Sequence, residues 1–242
     1  MTTNFSSQRI CKILTVAIFV LQATIKVPAQ QQFTDAVIQK VDASVKTRSE
    51  NIYGYTVTEH YAVYRNKDNI NPVAEMTVDT SYLKDTGKSY VIVSKSGSEM
   101  IQNLVLNAIL ENEKHLNLPG VREGSWITSE NYIMNLESSG TQQLDGRTCL
   151  LLSLTPRRKT PYLLVGTLWV DLKDGSIVQV QGTTSKSSSF LTGSTQVIRQ
   201  YANINGLPQA THFKAVSNSF VFGQTIVIID YLNYHVYLSR PM

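Results

Sequence analysis

Ser81-Tyr82-Leu83-Lys84 carries the letters of an S-x-x-K nucleophile and base. That chemistry needs the serine and the lysine one helical turn apart. Here the flanking residues alternate with the period of a strand, which argues against it. Four histidines, His60, His115, His212 and His235, are scattered along the chain. His60, His212 and His235 fall in strand-like runs and meet only if the fold brings them together. Their spacing assigns no metal set. Asp171 and Asp174 flank a turn, where Asp is favoured for its bonds to nearby backbone. Glu111 and Glu113 are two apart on a helical segment and so point in different directions. The chain has no G-x-S-x-G, no phosphate-binding glycine loop, no H-E-x-x-H and no C-x-x-C. The residues therefore read as a non-enzymatic protein with no cofactor and no metal.

Charge narrows the partners. Arg9 and Lys12 precede the apolar run Ile13–Ile25, and Val27-Pro28-Ala29 then offers small residues at the −3 and −1 positions. This is the pattern of a secretory signal peptide cleaved after Ala29, with an apolar run too short to span a bilayer. Residues 30–242 then form a mature chain of 213 residues with 19 basic and 18 acidic side chains. That balance and length suit one domain and no nucleic-acid partner. The one basic cluster, Arg157-Arg158-Lys159, reads as a solvated loop tip, with a contact to lipid phosphate as the sharper alternative. Cys149 alone remains after cleavage, in the apolar run Cys149-Leu150-Leu151-Leu152, so no internal disulfide forms and the thiol reads as a buried apolar residue.

The elements follow from periodicity. Val37, Val41 and Val45 recur at helical spacing between Phe33 and Arg48, with Thr34 or Asp35 as the cap. Tyr53, Tyr55, Val57, Tyr61 and Val63 then share one face of a strand. Strands Val73–Leu83 and Lys88–Ser94 follow, joined by Asp85-Thr86-Gly87. A second helix over 98–114 starts at the capping-box spacing Ser96 to Glu99 and stops at Pro119-Gly120. Its apolar residues Met100, Ile101, Leu104, Val105, Ala108 and Ile109 repeat at α-helical spacing, and Leu106 and Leu110 widen the stripe. Seven more strands fill 131–238, punctuated by Asp145-Gly146, Asp174-Gly175 and Gly206-Leu207-Pro208. About ten strands and two helices make an α+β chain that is mainly antiparallel β. A sheet this wide tends to curl. Its concave side becomes an apolar trough that the helices cover.

The candidate site is that trough. Its lining is read as Tyr55, Val57, Met76, Ile101, Leu104, Ala108, Trp169 and Phe190, suited to a lipid or acyl chain. Trp169 lies in Gly166-Thr167-Leu168-Trp169-Val170-Asp171, a run greasy on both faces. A loop of two or four residues at Asp174-Gly175 sets Trp169 on the face of Val178 and Val180. A loop of three sets Leu168 and Val170 there.

Asn131-Tyr132, Leu144-Asp145-Gly146-Arg147, Leu154–Lys159, Gly166–Asp171, Arg199-Gln200-Tyr201, Leu207-Pro208 and Asp230-Tyr231, with the order of elements, resemble the periplasmic lipoprotein-carrier (LolA/LolB-like, outer-membrane lipoprotein-sorting) family. The resemblance covers about half the mature chain. It implies a strongly curved, unclosed half-barrel whose concave face is covered by helices. It further implies a periplasmic carrier of lipids or lipoprotein acyl chains, in only peripheral contact with the membrane. A related branch implies the alternative, an envelope sensor or adaptor that binds a protein partner. The lid-holding arginine of the carriers aligns to no specific position here, so no functional residue is carried over.

Overall fold

The computed structural model describes residues 29–66, 68, 70–187, 194–219 and 223–238. All of the proposed leader but its last residue, Ala29, and the groove candidate Phe190 lie outside them. The first helix, α1 (Ala29–Asn51), begins upstream of its expected cap. Thr34 therefore sits inside the helix, and its hydroxyl donates to the Gln30 carbonyl one turn back. Three strands follow, β1 (Gly54–Arg65), β2 (Ala74–Leu83) and β3 (Gly87–Gly97). The second helix, α2, runs as Glu99–Ile101, a π turn Gln102–Leu106, and Asn107–Leu116. Its cap is Ser98, whose side chain accepts from the Ile101 amide, rather than Ser96. Seven strands complete the chain: β4 (Tyr132–Leu144), β5 (Arg147–Pro156), β6 (Leu164–Asp171), β7 (Ile177–Thr184), β8 (Gln196–Ile204), β9 (Leu207–Ser219) and β10 (Gly223–Tyr237).

Among the described residues the ten strands form one antiparallel sheet in the order β3-β2-β1-β10-β9-β8-β7-β6-β5-β4, with β3 and β4 at its two edges. The fold is thus the mainly antiparallel, unclosed half-barrel expected from the sequence. Turn chemistry sets two of the hairpins. Asp145 and Gly146 have φ of 50° and 72°, and Asn205 and Gly206 have 53° and 83°, the left-handed pair that matches the twist of a two-residue hairpin. The β1–β10 pairing joins distant parts of the chain, with Val63 opposite Val227 and Tyr61 opposite Ile229.

Both helices lie on the same face. Val37 and Val41 of α1 pack with Leu150, Leu152, Leu168, Val180 and Val197 on the β4–β8 half. Ile101, Leu106 and Leu110 of α2 pack with Val57, Tyr61, Met76, Val78 and Ile229 on the β1–β3 and β10 half. Phe213 and Ala215 of β9 border both clusters and mark the seam between the helices. Gly166 and Gly182 face each other where β6 meets β7. A Cβ on Gly166 would lie 2.1 Å from the Gln181 carbonyl oxygen, so the backbones approach more closely than any side chain allows.

The register around Trp169 has a specific cause. Asp171 and Ser176 close a four-residue loop through the Asp171 amide and the Ser176 carbonyl, which alone would set Trp169 opposite Val178. The β7 strand bulges at Val178, so Val170 faces Ile177, Trp169 faces Gln179 and Leu168 faces Val180. Leu168, Val170, Ile177 and Val180 therefore line the trough. Trp169 takes the outer face, directly opposite the buried Leu151, with its Nε1 donating to Gln142 Oε1 at 3.0 Å. The second greasy face of β6 is thus a small outer cluster.

Candidate functional site

The trough is filled in this structure. Leu106, Leu110 and Ile101 of α2 are at most 5% exposed, as are Val57, Tyr61, Met76 and Val78 beneath them. Of the residues read as groove lining, Val57, Met76, Ile101 and the half-buried Tyr55 come together under α2. Leu104, 59% exposed, and the exposed Ala108 lie on the outer side of the same helix. The π turn accounts for this. It adds one residue to a turn, so the inward positions run Ile101, Leu106, Leu110 instead of continuing at strict α spacing. Trp169 is on the opposite face of the sheet, as described above.

The centre of the α2 half holds a buried chain of charges. Lys88 Nζ lies 2.8 Å from Glu59 Oε1 and 3.4 Å from Glu113 Oε2. The other oxygen of Glu113 lies 3.5 Å from Arg199 Nη2. Glu59 is 1% exposed, and the Tyr61 hydroxyl donates to its second oxygen. The Arg199 guanidinium sits 5.0 Å over the Phe213 ring, at the seam between the helices. The network therefore ties β1, β3 and β8 to the last turns of α2.

Its electrostatics follow from burial. Desolvation alone would lower the Lys88 pKa, yet Glu113 and Glu59 hold it well above its ordinary value. Desolvation would raise the Glu113 carboxyl, and Lys88 and Arg199 bring it below the ordinary range. Burial is the main cause that pushes the Tyr61 hydroxyl far up, with the neighbouring Glu59 charge adding to it. The arrangement holds ions in fixed states; it does not poise a group near neutrality, as general acid–base chemistry wants.

Sequence reading passed over this network. Glu59 occupies an inward position in the run Tyr55, Val57, Glu59, Tyr61, Val63, and Lys88 and Arg199 occupy inward positions of β3 and β8. An acid on the apolar face of a strand was the available signal. Its partners are 29, 54 and 140 positions further along and carry no spacing that links them.

The remaining chemical candidates sit elsewhere. His60 is the cross-strand neighbour of Asp230, which is that of His212, on the outer face. The His212 Nδ1 to Asp230 Oδ1 distance is 2.7 Å, and His60 Nε2 lies 3.6 Å from Glu75. No group of three or more such ligands capable of holding a metal occurs among the described residues. Lys84 Nζ donates to the Glu50 carbonyl and Ser81 lies exposed on β2, a strand and not the helix that the S-x-x-K chemistry requires. In the basic run, Arg157 Nε donates to the Ser129 carbonyl, and Arg158 donates to Asn131 Oδ1 and to the Gly124 carbonyl. Both arginines thus pin the connection into β4. Cys149 is fully buried, and burial raises its thiol.

No family model matches this sequence, and no curated protein matches it. Solved structures do share its general arrangement. A putative outer membrane lipoprotein-sorting protein domain from Vibrio parahaemolyticus is 11% identical, with 87% of this chain and 94% of that one covered and a TM-score of 0.47. A DUF1329 family protein from Desulfovibrio piger is 14% identical, with 86% and 95% covered and a TM-score of 0.44. A LolA superfamily protein from Nitrosomonas europaea is 12% identical, with 86% and 94% covered and a TM-score of 0.38. Every identity is below 25% and every TM-score below 0.5.

Proposed function

We propose that this chain is a periplasmic, non-enzymatic carrier that holds a lipid, or the acyl chains of a lipidated protein, in the half of the trough now filled by α2. The observation that carries the reading is the charge network beneath that helix. An ordinary core closes with apolar side chains, and a buried ion pair adds little net stability over an apolar replacement. Glu113 joins an otherwise apolar helix face to Lys88 and Arg199, so α2 is held at defined points over a greasy surface. Lifting α2 exposes Val57, Tyr61, Met76, Val78 and Ile229, an apolar floor broken by the Glu59–Lys88 pair, so an acyl chain can lie on the apolar part and a polar headgroup beside the ions. Helix and cargo then compete for one surface.

Delipidated protein titrated with a fluorescent fatty acid and with a lipopeptide gives saturable binding that non-fluorescent lipid displaces. Folded protein that shows no such binding at tens of micromolar overturns the proposal.

A second reading is an envelope sensor or adaptor. The long edge strand β3, uncovered among the described residues, favours it, because an extended peptide can add to such an edge. Under this reading, affinity capture from envelope extract returns a stable protein complex free of lipid.

A further inference from the structure

We infer that β3 is the self-association surface of this protein, pairing antiparallel with β3 of a second copy across a two-fold axis. The two free edges of the sheet differ. The ladder of β4 is interrupted between Leu136 and Thr141, and that edge carries Glu137, so it is blunted. The β3 edge presents Ser89-Tyr90-Val91-Ile92-Val93-Ser94 without a charge. Val91 is 69%, Val93 58% and Ile92 37% exposed, an unusual degree of apolar exposure for a strand edge. Its one bulge lies at Val93 and leaves Lys88–Ile92 in regular register with β2.

The apolar surface continues onto α2. Gln102 Nε2 donates to the Ser96 carbonyl at 2.9 Å, Lys95 Nζ lies 3.3 Å from Asn107 Oδ1, and Tyr90 donates to Glu111. These contacts seat α2 beside the edge, where Met100 and Leu104 are 52% and 59% exposed on its outer side. A strand added to β3 therefore meets apolar residues of both elements.

Self-complementarity selects a second copy as the occupant. An axis at Val91 sets Ser89 against Val93 and Tyr90 against Ile92, with Lys95 opposite Gly87, so no charge faces a like charge. Taking a fully buried Val or Leu side chain as removing about 100 Å², the five exposed side chains offer roughly 250–300 Å² of apolar area per copy. At the usual apolar share of an interface, the pair buries on the order of 1,000 Å² in total, the threshold for a specific association.

Sedimentation velocity of the mature chain from micromolar to hundreds of micromolar gives a reversible monomer–dimer equilibrium. Val91→Lys weakens it about tenfold or more without changing the melting curve, because Val91 is exposed in the monomer. Val165→Lys, at a position 51% exposed on β6, leaves it unchanged. Mild oxidation links Val91→Cys chains into dimers and does not link Val165→Cys chains. A wild-type monomer at the highest concentration, a dimer indifferent to Val91→Lys, or equal loss in Val165→Lys overturns the inference. So does a monomer that floats with phospholipid vesicles through the same residues.

Discussion

Glu113→Gln tests the network most directly. The substitution keeps shape, removes one charge that faces Lys88 at 3.4 Å and Arg199 at 3.5 Å, and turns one of the two accepting oxygens into an NH2 donor. At an effective dielectric near 20, a unit pair at 3.5 Å is worth about 5 kcal/mol before desolvation. Neutralising Glu113 also spares the cost of burying its charge. Lys88 keeps Glu59 at 2.8 Å, so it is not orphaned, whereas Arg199 loses its acid and regains part of its hydration. The net loss is about 2–3 kcal/mol, below the 3–5 kcal/mol typical of leaving a buried charge alone. For a domain of this size that lowers Tm by about 5–10 °C. The loss concentrates in α2: amide exchange over 99–116 accelerates about 30- to 100-fold, and exchange in α1, which rests on the other cluster, follows only the global change. If cargo enters by displacing α2, apparent affinity for a fluorescent fatty acid rises with the open fraction. Unchanged α2 exchange in a variant that melts as wild type refutes the latch; accelerated exchange with unchanged affinity refutes its link to cargo.

Three further outcomes follow from the same geometry. The Glu113 carboxyl is depressed, so its contribution is complete above the unfolded carboxylate pKa near 4.3 and is lost as pH falls through the folded value; Lys88 is raised, so its contribution is complete below about 10.4 and is lost only as pH rises through a still higher value. Exchange of α2 amides, corrected for intrinsic rates, is therefore flat between about pH 5 and 10 and accelerates below that window; a slope centred near neutrality contradicts the assignment. Leu106→Ala costs about 2–5 kcal/mol in urea unfolding because the side chain is fully buried, whereas Leu104→Ala, at an exposed position, stays within about 0.5 kcal/mol; equal effects would contradict the π-turn register. Trp169→Phe loses the bond to Gln142 on the outer face and leaves fatty-acid affinity within about twofold, as measured by titration, while a large loss would move the binding surface to that face.

The strand pattern was legible because it is local. Alternation and Asp-Gly turns depend on neighbours in sequence, and the strands appear in the expected order in an unclosed antiparallel sheet, although the turn expected at Gly206-Leu207-Pro208 falls at Asn205-Gly206 and β9 already begins at Leu207. What stayed hidden depends on one-residue insertions or on distant partners. The π turn at Gln102–Leu106 and the bulge at Val178 each add a residue to a regular period, and each turns side chains to a different face from the one periodicity assigns. Leu104 and Trp169 were misread in position for that reason. Glu59, Lys88, Glu113 and Arg199 come from four elements and meet only because β1 and β10 join the two ends of the chain.

That junction governs the order in which the molecule can assemble. From β4 to β10 each strand lies beside the one before it, a meander whose contacts are close in sequence. The hairpins β1–β2 and β2–β3 are equally local, yet they reach the meander only through β10, with Val63 pairing to a residue 164 positions later. Loop closure over that span costs only about 0.6 kcal/mol for each doubling of length, but long-range pairing slows folding. The floor beneath α2 contains Val227, Ile229 and Tyr231 of β10, so it stays incomplete until that strand is available. Until then β1 is itself an open edge, with Val57, Tyr61 and Val63 unshielded. A chain that emerges from its N-terminal end carries this sticky hairpin from the completion of β2 at Leu83 until β10 follows at Gly223, more than half of its emergence. The strand that ends the exposure is also the one that completes the floor under α2.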